Sequence, residues 1–274
     1  MIINGIDIYT ERHGEGVPLI VLHGGPGLGH DYFKPALLSA SRFAEVIFYD
    51  QRCSGKSQNL SMEDCCELSL HIEDLEALTK SLGLNGFVLL GHSFGSYLAL
   101  AYAVRHAKNI SKLILVSPVL PYAEPPEQIH RWFSFFSGDL RRKLDKINMS
   151  NDPPPKKTLD RFDLALPLYF HQEKALAEFR SRRFSFSGEL IEECSKKSML
   201  TDLRDDIVRL TMPVTMIVGT EDKRTPPQYS AELSGFIENS MIIEMPETGH
   251  FPFLEHPEKF MEILKMEVME SNPE

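Results

Sequence analysis

"VLLGHSFGSYLALAYA", residues 88–103, passes from an unbroken apolar run into a serine held between two glycines, and then into a second apolar stretch. The first part, "GFVLLG" (86–91), has the continuous hydrophobicity of a strand covered on both faces. The second, "FGSYLALAYAVRHA" (94–107), reads as a buried helix. A serine in an ordinary turn needs no flanking glycines. A strand that turns sharply into a helix does need them, because small neighbours let the two elements approach while the serine projects from the end of the sheet. Gly91-His92-Ser93-Phe94-Gly95 is therefore read as a G-x-S-x-G nucleophile elbow, and the flanking strand and helix carry that reading more than the five letters do.

The surrounding chain repeats the pattern. "VPLIVLH" (17–23), "EVIFYD" (45–50), "KLILVS" (112–117), "PVTMIVG" (213–219) and "SMIIEM" (240–245) read as further strands. "SLHIEDLEALTKSLG" (69–83) and "PEKFMEILKMEVME" (257–270) carry helical apolar stripes. Alternating strands and helices predict an α/β fold, with a mostly parallel central sheet flanked by helices. From about residue 121 to 200 no strand is legible, and five helical segments follow one another with Pro, Gly and Ser between them. The expected organisation is a core formed by 1–120 and 201–274, with a helical cap inserted at 121–200.

Composition narrows the function. The chain has 274 residues, 42% hydrophobic and 25% charged, with a formal net charge of −10. That balance argues against wholesale nucleic-acid binding. No window reaches the roughly 20 apolar residues of a membrane span, and the N-terminus lacks the pattern of a signal peptide. Cys53, Cys65, Cys66 and Cys194 match neither a zinc knuckle nor a CxxC pair, and adjacent Cys65 and Cys66 are a poor disulfide. Free thiols in a reducing cytoplasm are expected. The expected partner is a small-molecule or short-peptide substrate, with no nucleic acid and no membrane; oligomeric state is not readable.

Ser93 is a weak nucleophile unless a base activates it. His250, in "MPETGHFPFLEHP" (245–257), lies after the last strand and before the last helix, where such a base belongs. His256, beside Pro257, is read as opening that helix, and His92 as pointing away from the nucleophile. The acid should follow the preceding strand, where "TMIVGTEDKRTPP" offers Asp222, with Glu221 as the fallback. Chain order Ser, acid, His agrees with this elbow. The Gly-Gly-Pro-Gly loop at 24–27 permits close backbone approach, so the N–H groups of Gly25 and Phe94 are the expected oxyanion donors. A dinucleotide fingerprint fails because no glycine stands at position 30. A phosphate loop at "SGKS" (54–57) fails because position 50 is Asp50. Metal motifs are absent from the sequence and no cofactor is required.

With "HGGPG" (23–27), "YDQRCSGKS" (49–57), "GHSFGSYLALAYA" (91–103) and "GTEDKRTP" (219–226) leading to Gly249-His250, the chain resembles the prolyl aminopeptidase (proline iminopeptidase) family of α/β-hydrolases. The likeness covers about 1–120 and 205–270. It implies Ser93, Asp222 and His250 as the triad, and Gly25 and Phe94 as oxyanion donors. It also implies cap glutamates that hold a substrate amine, for which Glu189, Glu192 and Glu193 are available. Two departures stand out: Cys53 replaces the family's usual glycine, and Lys223 follows Asp222 where some members carry an acid.

The expected function is a serine hydrolase working through an acyl-enzyme on small amides. A carboxylester hydrolase is the alternative, and a slow-turnover hydrolase-fold binding protein a further one. Trp132 and Phe136, in "RWFSFF" (131–136), with Phe162, Tyr169 and Phe170, are candidates for an apolar substrate pocket. Basic "FRSRRF" (179–184) and Lys223-Arg224 would suit an acidic substrate.

Overall fold

The computed structural model describes every residue except Glu124, Arg183, Ser198 and 272–274. Its centre is a seven-stranded sheet of β1 (Thr10–His13), β2 (Val17–Leu22), β3 (Ala44–Tyr49), β4 (Phe87–His92), β5 (Ile110–Val116), β6 (Val214–Gly219) and β7 (Ser240–Met245). The spatial order is β1-β3-β2-β4-β5-β6-β7. All neighbouring pairs are parallel except β1 with β3. Strand β4 lies at the centre and is buried at every residue, as its unbroken apolar run requires. The sequence reading has no counterpart for β1, "TERH", whose polar residues pair with β3 on an outer edge.

Helices α1 (Leu68–Ser81) and α2 (Phe94–His106) follow β3 and β4. One apolar cluster packs Leu75, Leu78, Leu98 and Tyr102 against Ile20, Leu89 and Leu113 of the sheet. On the opposite face Val21, Phe48, Leu90 and Ile114 meet Phe253, Phe260 and Leu264. This two-sided burial dominates the stability of such a domain, since each fully buried Leu, Ile or Phe side chain contributes about 1.5–3 kcal/mol.

Among the described residues, five helices between β5 and β6 lie within 121–200: α3 (Pro126–Ser134), α4 (Gly138–Met149), α5 (Pro154–Tyr169), α6 (Glu173–Ser181) and α7 (Gly188–Lys197); a one-turn helix, Arg204–Ile207, follows them before β6. Helix α5 starts inside the proline run of "NDPPPKK", because Pro tolerates the first helical turn, where no N–H is needed. The chain closes with α8 (Pro227–Ser234) and α9 (Pro257–Glu270). None of the described helices is long and apolar enough to cross a membrane.

The expectation of free thiols is overturned. Cys53 is bonded to Cys65, and Cys66 to Cys194, leaving no free cysteine. Cys65 and Cys66 do not bond to each other; they face different partners. The second bond joins residues 128 positions apart and fastens α7 to the core. Sequence spacing could not show this, because only the docking of α7 brings Cys194 beside Cys66. Cys53 has φ of 61°, the left-handed region that favours glycine, which accounts for the glycine usual at this place in the family it resembles.

Candidate active site

Four loops, at the C-terminal ends of β2, β4, β6 and β7, meet beneath the α3–α7 helices. The first is the elbow. Ser93 has φ of 53° and ψ of −121°, a strained conformation for a residue with a side chain, and it separates β4 from α2. A Cβ on Gly91 would stand 2.2 Å from the Gly95 carbonyl oxygen; one on Gly95 would stand 2.3 Å from that of Leu22. Both glycines are therefore demanded by backbone crowding. The Ser93 N–H donates to the Val116 carbonyl at 3.0 Å, anchoring the turn to β5.

The acid turn follows β6. Asp222 is buried, and its Oδ1 accepts from the N–H groups of Arg224 (2.8 Å) and Thr225 (2.9 Å). Its Oδ2 lies 2.8 Å from His250 Nδ1 and 2.9 Å from Thr225 Oγ1. The carboxylate is thus held in one rotamer, aimed at the imidazole, which leaves Nε2 facing away from the acid. Glu221, the fallback acid, is exposed and makes no such contact.

The base loop follows β7. The His250 N–H donates to the Tyr169 carbonyl at 2.7 Å, so the end of α5 helps to place the ring. Tyr169 also stands edge-on to the imidazole at 5.3 Å. The Gly249 N–H donates to Glu255 Oε1 at 2.8 Å, while Oε2 takes the N–H groups of His171 and Gln172. Burial pushes the Glu255 carboxyl above its usual range, and those three N–H groups oppose the rise. His256 sits where expected, at the start of α9, with its ring 3.0 Å from Gln172 Nε2.

The loop after β2 completes the site. Gly25 has φ of 126°, and Phe94 opens α2, so its N–H has no acceptor within that helix. The "DQR" run braces this loop: Gln51 Nε2 donates to the His23 carbonyl at 2.8 Å, and the Gln51 N–H donates to His23 Nε2 at 2.9 Å. Asp50 accepts from the N–H and the ring of His30 at 2.7 and 2.8 Å. Beyond the loop, Gly29 and Gly27 exchange backbone hydrogen bonds with Ser185 and Ser187 of the segment between α6 and α7.

Ser93, His250, Gly25 and Phe94 all line one cavity of about 600 Å³. Its apolar wall includes Ile129, Phe162, Tyr169, Phe186, Ile191 and Met199. Of the aromatic candidates, Phe162 and Tyr169 reach the cavity. Trp132 and Phe136 stand one layer back: Trp132 packs on Tyr169, and Phe136 beneath Trp132. Phe170 stacks on Phe251.

The three cap glutamates also lie outside the cavity wall. Glu189 is exposed. Glu192 accepts from Thr158 Oγ1 at 2.7 Å, and Glu193 pairs with Lys196 at 2.7 Å. Lys196 pairs with both Glu192 and Glu193, at i,i+4 and i,i+3, a spacing at which charges satisfy each other along a helix face. In "FRSRRF", Arg180 and Arg182 pair with Asp163 and Glu178 away from the cavity, and Arg183 lies outside the described residues. Arg224 is the one charged side chain among the described residues of the wall. Sequence reasoning missed Thr225 and the disulfide that fastens α7; for Thr225 the signal was present, a hydroxyl three residues after the acid.

A family described as the alpha/beta hydrolase fold matches residues 17–257. The chain is 25% identical over 275 residues to a proline iminopeptidase of Saccharolobus solfataricus, with 95% of this chain and 88% of that one covered. It is 27% identical over 281 residues to a proline iminopeptidase of Clostridium botulinum, covering 94% and 91%. Among solved structures it superposes on a thermophilic esterase from Thermogutta terrifontis with a TM-score of 0.76 and 22% identity, covering 98% and 95%.

Proposed function

The chain belongs to the alpha/beta hydrolase fold family, and from that premise we propose that it is a serine hydrolase acting on small acyl substrates through Ser93, His250 and Asp222. The observation that carries the reading is the buried Asp222–His250 contact at 2.8 Å beside a strained Ser93 on the same cavity wall. In this mechanism Ser93 Oγ attacks the substrate carbonyl while His250 Nε2 takes its proton. The carbonyl oxygen becomes an oxyanion received by the N–H groups of Gly25 and Phe94. The tetrahedral intermediate collapses as His250 returns the proton to the leaving group. Water then repeats the cycle on the acyl-enzyme and releases the acid. Asp222 stays ionised throughout and stabilises the imidazolium. Residues 121–200 act as a cap that shapes the pocket and excludes water.

For the substrate, we favour a carboxylic ester. A free substrate amine calls for a carboxylate in the pocket, and the described wall offers none, while its charged member is Arg224. The second reading, a prolyl aminopeptidase, is favoured by the names of the relatives in Saccharolobus solfataricus and Clostridium botulinum. Turnover of a short-chain nitrophenyl ester and of a prolyl arylamide, by the wild type and by Ser93→Ala, separates the two. The ester reading expects Ser93-dependent ester release; efficient Ser93-dependent release from the prolyl amide overturns it. A cytoplasmic setting, expected from free thiols, loses that argument, because bonded cysteine pairs persist mainly in oxidising compartments.

A further inference from the structure

We propose that Tyr32 and His92 form a positioning relay that ties the oxyanion loop to the base loop through the elbow. The inference rests on the assignment of Ser93 and His250 above. The Gly24 N–H donates to Tyr32 Oη at 2.8 Å; Tyr32 Oη lies 2.8 Å from His92 Nδ1; His92 Nε2 lies 2.9 Å from the carbonyl oxygen of His250. Tyr32, His92 and His250 are buried.

The direction of every bond follows from chemistry. A backbone N–H can only donate, so Tyr32 Oη accepts from Gly24 and uses its single proton on His92 Nδ1. A carbonyl can only accept, so His92 carries its proton on Nε2. One neutral tautomer of His92 satisfies the whole chain, and burial keeps the ring neutral by holding its pKa well below the ordinary range. Phe33, Phe251 and Phe253 surround the buried ring at centroid distances of 5.5, 5.2 and 5.1 Å.

The two ends of the relay are one residue from, or at, catalytic groups. Gly24 precedes the oxyanion donor Gly25, and the carbonyl held by His92 belongs to the general base. His92 itself precedes the nucleophile. The relay packs tightly on Gly24: a Cβ there would stand 3.2 Å from Tyr32 Oη and 3.3 Å from His92 Nδ1. Two side chains thus set the spacing of three separate catalytic loops, a spacing on which transition-state stabilisation depends more than substrate binding does.

The test uses the full-length chain with a nitrophenyl ester, a fluorophosphonate titrant of Ser93, and 15N-histidine NMR. Tyr32→Phe, which keeps the ring and removes the hydroxyl, should lower kcat per titrated site by roughly 10-fold or more while KM changes by less than about 3-fold. Affinity for a boronic acid transition-state analogue should fall in step with kcat. His92→Gln should show the same split, and the double variant should lose no more than about the larger single effect, as members of one unit do. In the wild type at neutral pH, His92 should carry its proton on Nε2. A merely structural role would lower melting temperature yet leave kcat per titrated site unchanged, and that result overturns the proposal. So does a His92 protonated on Nδ1. If Ser93 fails to titrate in folded wild type, the serine hydrolase reading fails first, which the NMR result distinguishes.

Discussion

Gly95→Ala tests the backbone crowding at the elbow. Its Cβ would stand 2.3 Å from the Leu22 carbonyl oxygen and 2.6 Å from that of His23. Real Cβ atoms stay beyond 3.0 Å, so α2 must withdraw from β2 by at least the difference, about 0.7 Å. The obstacles are backbone atoms at the end of a buried central strand, and no rotamer can relieve them. Overpacking of this kind costs about 3 kcal/mol. The same withdrawal carries the Phe94 N–H with it, and misplacement on the ångström scale lowers kcat by roughly 10- to 100-fold. Urea unfolding gives the first quantity, and ester turnover per titrated Ser93 the second. Gly83→Ala is the control. Gly83 has φ of 66°, but a Cβ placed there would meet nothing within 4 Å, so the change should cost only the left-handed strain, about 1 kcal/mol, with full turnover. If Gly95→Ala matches Gly83→Ala in both measurements, the crowding argument is wrong.

Two further outcomes follow from other buried groups. Breaking the Cys66–Cys194 bond with reductant, or by Cys194→Ser, should lower stability by about 2–5 kcal/mol, because the bond closes a long loop. Calorimetry checks this, and an unchanged melting temperature with the bond demonstrably open would contradict it. His71 is buried, with Nε2 2.8 Å from the Cys65 carbonyl oxygen, and burial pushes its pKa from 6.5 down to about 4. The unfolded chain takes up this proton from pH 6.5 downward, whereas the folded chain refuses it until about pH 4. Stability present above pH 6.5 is therefore lost as the pH falls through that window, by about 3 kcal/mol in full. Between about pH 7 and 4.5, His71→Gln should lose about 2 kcal/mol less than the wild type in urea titrations; equal losses refute the assignment.

Much of this architecture is legible in the sequence, for a physical reason. Strands covered on both faces must be apolar throughout, so "VLLG", "LIVL" and "LILV" announce themselves. The edge strand "TERH" is invisible to that test, since one row of its neighbours is solvent and its residues are polar. Ser93, Asp222 and His250 can be nominated from sequence because each stands at a strand end in a fixed chain order. The pocket wall is not. Whether Trp132 or Phe162 reaches the cavity depends on how α3 and α5 pack, which their similar aromatic stripes do not encode. Glu189, Glu192 and Glu193 are available as amine ligands by residue type alone, but helix spacing supplies Glu192 and Glu193 with Lys196 instead. Cysteine pairing escapes the sequence for the same reason, as Cys66 meets Cys194 only after α7 docks.

Covalent labelling decides whether Ser93 is the nucleophile. The folded protein would be treated with a fluorophosphonate, digested, and its peptides weighed. One equivalent of label is expected on the peptide carrying Ser93, with ester turnover lost in proportion to labelling, and neither label nor turnover in a folded Ser93→Ala variant. Full ester turnover by Ser93→Ala, or label on another residue with Ser93 untouched, would contradict that assignment.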